Sequence, residues 1–168
     1  GDTGPGGGKV FIVKTATSEA PWRYMEAAPN TWSGGSADPT MAWCSNSTAF
    51  VPNLFTGSTA TIQTSTAIGA GYSNTQKMLR GCTFGAANAA ASYNGGGKSN
   101  WHLPSKDELT ALYAQKTLVG GFVGDGGNPY WSSSEIVANS AWTQFFPSDI
   151  KSGSTKELTP YVRPVRTF

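Results

Sequence analysis

Charged residues are scarce in this 168-residue chain, and that scarcity excludes several classes of protein. Asp, Glu, Lys and Arg make up 13% of the residues, and the formal net charge is only +2. The charged share is about half the usual one. A strongly basic nucleic-acid-binding module is therefore excluded on bulk charge, although a local basic patch is not. Intrinsic disorder is also excluded, because aromatic residues reach 12% while the net charge stays low.

Long apolar runs and catalytic motifs are missing as well. No stretch approaches the ~18–20 apolar residues of a membrane span, so we expect no membrane insertion. The single histidine, His102, lies between Trp101 and Leu103, which we expect to pack inward. Neither a G-x-S-x-G elbow nor an H-E-x-x-H helix occurs in the chain. We therefore expect a protein that is not an enzyme and needs no cofactor.

The chain has only two cysteines, Cys44 and Cys82. Together with one histidine they are too few and too widely spaced for a zinc site. An even number of cysteines in a secreted protein favours a disulfide, whereas two buried free thiols are the alternative.

Glycine, by contrast, is abundant, and its placement in the first eight residues is informative. Gly1, Gly4 and Gly7 occupy every third position, and Pro5 takes the second place of its triplet. This is the Gly-X-Y pattern of collagen, whose three-chain helix admits only glycine at its axis. We predict that residues 1–8 end a collagen-like stalk, that residues 9–168 form one C-terminal domain, and that the protein is a homotrimer. A flexible glycine linker is the alternative.

The pattern after the glycines predicts a single α+β domain. Short strands are expected at residues 9–14, 22–26, 130–133, 141–146 and 161–166, with turns at 124–128 and 148–155. Proline and glycine punctuate residues 15–60, which we expect to form long ordered loops. Strands at both ends of the domain predict that its termini lie close together.

Helices are expected in the middle of the chain. Ser73 with Gln76, and Ser105 with Glu108, each have the spacing of a capping box, in which two side chains satisfy backbone N–H groups at a helix start. The first helix should stop at Gly81, the alanine-rich residues 84–93 should form another, and the helix that starts at Ser105 should end near residues 116–118. Asp107 and Glu108 then lie in a first helical turn, where carboxylates favour the helix dipole.

Three motifs follow one another in the second half of the chain. They are Trp101-His102-Leu103-Pro104-Ser105-Lys106-Asp107-Glu108-Leu109, then Tyr130-Trp131-Ser132-Ser133-Ser134-Glu135, then Tyr161-Val162-Arg163-Pro164-Val165-Arg166. This series resembles the bacterial DUF1566 domains, whose fold is related to C-type lectins. With the collagen-like start, the chain is similar to the C-terminal domains of the Legionella collagen-like adhesin and its relatives.

The resemblance implies a C-type-lectin-like fold and a role outside the cell. It implies a secreted or bacterial cell-surface adhesin, trimeric on its stalk, that recognises sulfated glycosaminoglycans on host surfaces. Within the motifs, Trp101, Leu103, Tyr130, Trp131 and Trp142 are expected in the core. Arg163 and Arg166 either pair with buried carboxylates or carbonyls or contact a ligand.

Sulfates on a polymer are bound by Lys and Arg through charge-assisted hydrogen bonds, and the chain offers no dense basic run. The candidate glycan-binding residues lie in expected loops and at helix ends: Lys77, Arg80, Lys98, Lys116, Lys151 and Lys156. Residues 151–156 are the best local cluster, with two cations on an expected flexible polar loop. Ordinary solvated lysines are the alternative for each.

Other partners stay open at this point. Asp125 and Asn128 could supply oxygen ligands to calcium, so divalent-cation dependence is possible, but one turn offers fewer than the six to eight oxygens that calcium takes. Two further roles compete with glycan binding, namely a structural cap that trimerises the stalk and a protein-receptor-binding domain.

Overall fold

The computed structural model describes residues 1–15, 21–124 and 127–168. Within these ranges the chain forms a mixed α/β domain with two small antiparallel sheets and four α-helices. The strands are β1 (Lys9–Val13), β2 (Tyr24–Ala27), β3 (Tyr130–Val137), β4 (Ser140–Gln144), β5 (Lys151–Thr155) and β6 (Val165–Thr167). The helices are α1 (Gly71–Gly81), α2 (Ala86–Ser92), α3 (Lys106–Ala114) and α4 (Lys116–Val119), with a 3-10 turn at Gly95–Gly97.

The first sheet joins the two ends of the domain. Its order is β1-β2-β6, with Glu26 of β2 opposite both Val10 and Arg166. Its inner face packs against Leu109 and Leu112 of α3. The predicted strands at both ends are confirmed, but the last one is shorter than expected, because Pro164 has no N–H to donate to a ladder.

The second sheet has the order β3-β4-β5 and corrects one expectation. Residues 151–155, predicted to be part of a turn, pair with β4 along their whole length, from Ser140↔Thr155 to Gln144↔Lys151. A polar segment can serve as an edge strand because one side of an edge strand faces solvent. Trp142 on β4 is half-buried rather than in the core, whereas Trp131 on β3 is fully buried.

The two predicted capping boxes have different outcomes. At the start of α3, Glu108 N–H donates to Ser105 Oγ (3.3 Å) and Ser105 N–H donates to Glu108 Oε2 (2.8 Å), so that prediction is confirmed. The box at Ser73 is wrong, because α1 begins at Gly71 without a side-chain cap. Side chains of this first turn make tertiary contacts instead: Asn74 bonds the backbone of Ser65.

The glycine-rich start folds back onto β1 as a tight turn. Gly7 N–H donates to Gly4 O (2.9 Å), and Gly4 N–H donates to Gly8 O (2.8 Å). Thr3 and Lys9 form an isolated antiparallel β-bridge. A Cβ on Gly6 would lie 2.5 Å from Trp101 Cζ2, so this position needs glycine for a reason unrelated to a triple helix. A triple helix requires three chains, and a stalk that ends at residue 8 stays a prediction.

A disulfide joins Cys44 to Cys82, which confirms the favoured pairing. Both cysteines are buried in a core cluster with Trp43, Met78 and Trp131, which is separate from the cluster around Leu109 and Leu112. The bridge therefore ties the long segment before α1 to the end of that helix. In the chain-entropy model, closing a loop of 38 residues contributes about 4 kcal/mol.

Candidate functional site

Arg163 is a buried structural residue. Its guanidinium makes a bidentate contact with Asp38, at 2.6 Å from Nε to Oδ1 and 2.6 Å from Nη2 to Oδ2. It also donates to the carbonyls of Gly121 (2.8 Å) and Ala28 (3.1 Å). Burial raises the pKa of Asp38, and the opposing effect of Arg163 does not fully offset it. Every direction in which this cation could reach a ligand is occupied by protein.

Arg166 is engaged in the same way. Its guanidinium pairs with Glu26, with Nε 2.9 Å from Oε1, and Nη1 donates to Asn100. The Glu26 carboxylate also accepts N–H bonds from Gly6 (3.0 Å) and Gly8 (2.9 Å) of the N-terminal turn. Of the two alternatives for these arginines, structural pairing is the one observed.

Lys156 is buried, which corrects its expected place on a surface loop. Its ammonium lies 2.7 Å from Glu135 Oε1 and donates to Ala49 O at 2.8 Å, and its side chain is 0% exposed. The ring of Trp43 lies 4.5 Å from the same nitrogen. A charge reversal at Lys156 would therefore report on folding rather than on binding.

Lys77 and Arg80 lie one turn apart on α1 and hold the same loop. Lys77 Nζ donates to Gln63 O, and Arg80 Nη1 donates to Leu54 O. Lys77 is half-buried and Arg80 is exposed. Both cations thus bond neutral carbonyl groups, so neither positive charge is balanced by a carboxylate among the described residues.

Lys116 and Lys151 both bond residues of the turn between β4 and β5. Lys116 Nζ donates to Phe146 O (2.8 Å) and to Tyr113 Oη (2.9 Å). Lys151 differs, because its ammonium pairs with Asp149 Oδ1 at 2.8 Å. The charge of Lys151 is therefore partly neutralised, and that of Lys116 is not.

Lys98 follows the 3-10 turn and is half-buried. Its ammonium has no hydrogen-bond or carboxylate partner within the residues that the structure describes. By their bonding partners the predicted residues fall into two groups. Lys77 and Arg80 bond the loop before α1, Lys116 and Lys151 bond the turn between β4 and β5, and Lys98 shares neither contact.

His102 and Glu108 form a buried pair below α1. His102 Nε2 lies 3.7 Å from Glu108 Oε2, and Glu108 Oε1 accepts N–H bonds from Gly69 (2.7 Å) and Gly71 (3.2 Å). Burial alone would raise the pKa of Glu108, but electrostatic attraction to His102 and the N–H bonds from Ser105 and Gly71 lower it. The carboxylate therefore ties the 69–71 turn to α3, a role that goes beyond the expected dipole effect.

No group of three or more His, Cys, Asp and Glu side chains able to hold a metal occurs in ranges 1–15, 21–124 and 127–168. Asp125, considered above as an oxygen ligand for calcium, lies outside the described residues. Across the same ranges no helix is both long and apolar enough to cross a membrane.

Lys14 and Arg23 are two cations that the sequence pattern did not predict as binding residues. Their backbones pair across the β1–β2 hairpin, with Lys14 N–H donating to Arg23 O at 2.8 Å, which places two cations side by side next to Trp22. The available signal was a basic residue at the end of the first expected strand, 9–14, and another near the start of the second, 22–26, but the strand register had to be known to bring Lys14 and Arg23 together.

Comparison with family models gives one finding for this chain. Residues 31–166 match the Lcl C-terminal domain, and this range includes all three motifs and both cysteines. It also includes five of the six residues that form the three buried ion pairs, namely Asp38, Glu135, Lys156, Arg163 and Arg166. The sixth, Glu26, precedes the matched range. A comparison with curated proteins found no match. Because the matched range covers most of the sequence, the chain belongs to the Lcl C-terminal domain family, a family of collagen-like adhesin domains.

Proposed function

We propose that this domain is the head of a secreted or surface-attached, trimeric collagen-like adhesin, and that it binds sulfated glycosaminoglycans through a distributed basic surface. Family membership supports the adhesin role and a location outside the cell. We include a C-type-lectin-like fold in the proposal. The terminal strands β1 and β6, which lie on either side of β2 in one sheet, support it, as do the long loops before α1.

The proposal depends on one observation: some cations are paired with buried carboxylates, whereas others have no carboxylate partner among the described residues. Arg163, Arg166 and Lys156 are neutralised inside the domain by buried carboxylates. The four residues Lys77, Arg80, Lys98 and Lys116 have no carboxylate partner among the residues described. Burying pairs of opposite charge leaves the excess positive charge of the chain on its surface.

Such a surface favours a polymer of sulfates over a single small anion. Each exposed cation contributes little by itself because water and salt screen it. A polyanion engages several cations together and releases its condensed counterions, a rule framed for nucleic acids whose physics applies to any dense polyanion. Three heads on one stalk would multiply a weak affinity through effective concentration.

Binding to immobilised heparin and chondroitin sulfate across a salt series tests the proposal, with unsulfated hyaluronan as the control polymer. We expect binding that is much stronger to the sulfated polymers than to hyaluronan and that weakens steeply with salt. Lys98→Glu, and the pair Lys77→Glu with Arg80→Glu, should weaken binding several-fold and flatten the salt dependence, by about one unit of slope per cation removed.

Lys151→Glu is the graded comparison, because Asp149 already partly neutralises Lys151. It should weaken binding less than Lys98→Glu does. Absence of binding at low salt by a confirmed trimer would overturn the glycan proposal and favour a stalk cap or a protein receptor.

A further inference from the structure

A groove between the β1–β2 hairpin and the start of α1 is separate from the six cations that the sequence predicted as glycan-binding residues. It has a volume of about 620 Å³, within the ~300–1,000 Å³ range of small-molecule sites. Its walls are formed by Trp22, Ile68, Tyr72 and Phe168, with Lys14 and Asn100 among the polar lining residues.

The groove has aromatic walls that are exposed yet held in place. Tyr72 is 45% exposed and Ile68 is 47% exposed. The Tyr72 ring packs edge-on against buried His102, with 5.9 Å between ring centroids. Gly69, whose φ of +96° favours glycine, lies beside the Trp22 indole, where a Cβ would be in ordinary van der Waals contact with Nε1 at 3.5 Å. Rigid aromatic walls offer contact area at low entropic cost.

Several polar groups in the groove have no partner in the described parts of the chain. Trp22 Nε1–H and Tyr72 Oη take part in no hydrogen bond there. Asn100 uses one amide hydrogen for Thr167 O (2.9 Å), and an amide carries two. Apolar walls with a few convergent donors and acceptors are the ordinary chemistry of a site for a small polar ligand.

The groove also carries positive charge that no acid among its described lining residues offsets. Lys14 Nζ lies 3.5 Å from the centroid of the Trp22 ring and has no carboxylate partner within residues 1–15, 21–124 and 127–168. Exposed Arg23 is its backbone neighbour. The nearby buried acids are already engaged, Glu26 by Arg166 and Glu108 by the 69–71 turn and His102.

We propose that this groove binds one acidic pyranose residue of a polysaccharide. The sugar ring packs against Tyr72 and the free edge of Trp22. Its hydroxyls bond Asn100, Tyr72 Oη and Trp22 Nε1, and its carboxylate or sulfate lies on Lys14. The inference rests on the proposed glycan-binding function and adds a recognition site for a single sugar unit to the distributed basic surface.

Calorimetric titration of the 168-residue protein with short probes tests the groove. The probes are a heparin-derived tetrasaccharide, a hyaluronan tetrasaccharide that carries carboxylates without sulfates, and neutral chitotetraose. We expect both acidic probes to bind more tightly than chitotetraose. The ratio between the two acidic probes shows whether sulfate or carboxylate is preferred.

Variants assign the binding to the groove. Tyr72→Ala should weaken all three probes about tenfold, as expected for loss of a central aromatic contact. Lys14→Gln should abolish the preference for acidic probes, a loss of about tenfold. Tyr72→Phe keeps the ring and removes only the hydroxyl, so it gives a smaller loss even where Tyr72→Ala folds poorly. Phe55→Ala is the matched control, because Phe55 is 95% exposed outside the groove and its loss should change nothing.

The outcomes separate the two proposals. Unchanged tetrasaccharide affinity in Tyr72→Ala and Lys14→Gln, with polymer binding still lost in the Lys77 and Arg80 variants, overturns the groove and leaves the basic surface standing. Equal affinity for chitotetraose and the acidic probes overturns the role of Lys14. Failure of the wild-type protein to bind any probe or polymer overturns both proposals.

Discussion

Lys156 and Glu135 form an ion pair from which solvent is excluded, with Nζ 2.7 Å from Oε1 and both side chains 0% exposed. The pair joins the end of β5 to β3 and fixes the loop before α1 through Ala49 O and Val51 N–H. One of the most promising surface cations in the sequence is thereby part of the core.

We predict that Lys156→Met destabilises the domain by about 3–5 kcal/mol, because it leaves the Glu135 carboxylate buried and unpaired. Denaturant unfolding would measure the loss. Adding Glu135→Gln should restore part of it, since the neutral amide still accepts from Val51 N–H. The exposed pair gives the control: Lys151→Met should change stability by less than about 0.5 kcal/mol. Similar losses in both lysine variants would contradict the buried-pair assignment.

The N-terminal turn yields a second prediction. In Gly6→Ala the new Cβ would lie 2.5 Å from Trp101 Cζ2 and 2.8 Å from Glu26 Oε1, so we expect a loss of about 1–3 kcal/mol from overpacking. Gly35→Ala is the matched control, because its new Cβ would come no closer than 3.6 Å, to Ala37 O, among the described residues. Thermal unfolding of the isolated domain distinguishes the cases. Unchanged stability in Gly6→Ala would mean that residues 1–8 act only as the end of a stalk.

Glu108 predicts an acid-sensitive contribution to stability. Its pKa is lowered in the folded domain from the ordinary 4.5, so its contribution is fully present above about pH 4.5 and is lost as pH falls through the folded pKa. The stability difference between wild type and Glu108→Gln should therefore shrink below pH 4.5. Urea unfolding of both proteins from pH 7 to pH 3 measures it, and a difference that stays constant with pH would refute this role.

The disulfide gives a fourth prediction. Replacing both cysteines with alanine should cost about 4 kcal/mol in the chain-entropy model, which lowers the unfolding temperature by roughly 8–16 °C in a domain of this size. Differential scanning calorimetry compares the variant with the oxidised and reduced wild type. The reduced protein should approach the variant, and a melting temperature that does not respond to reduction would argue against a stabilising bridge.

Local signals in the sequence determined much of the secondary structure and the family. The capping box at Ser105 and Glu108, the strand at residues 9–13 and the cysteine pair were all predicted, because each depends on neighbouring residues or on simple chemistry. The W-x-L-P-S-x-x-E-L series identified the family for the same reason. The box at Ser73 failed because α1 already begins at Gly71, so Ser73 lies inside the first helical turn rather than before it.

Tertiary structure alone decided which charges face solvent. Lys151 and Lys156 are five residues apart and look alike in sequence, yet one lies at the surface beside Asp149 and the other is buried against Glu135. The partner of each buried cation is distant along the chain: Arg163 bonds Asp38, and Arg166 bonds Glu26. No local pattern encodes such pairings, because the desolvation of a charge depends on every segment that packs around it. The groove at Trp22 and Tyr72 has the same origin, since a β-hairpin and a helix start form its walls only after the chain has folded.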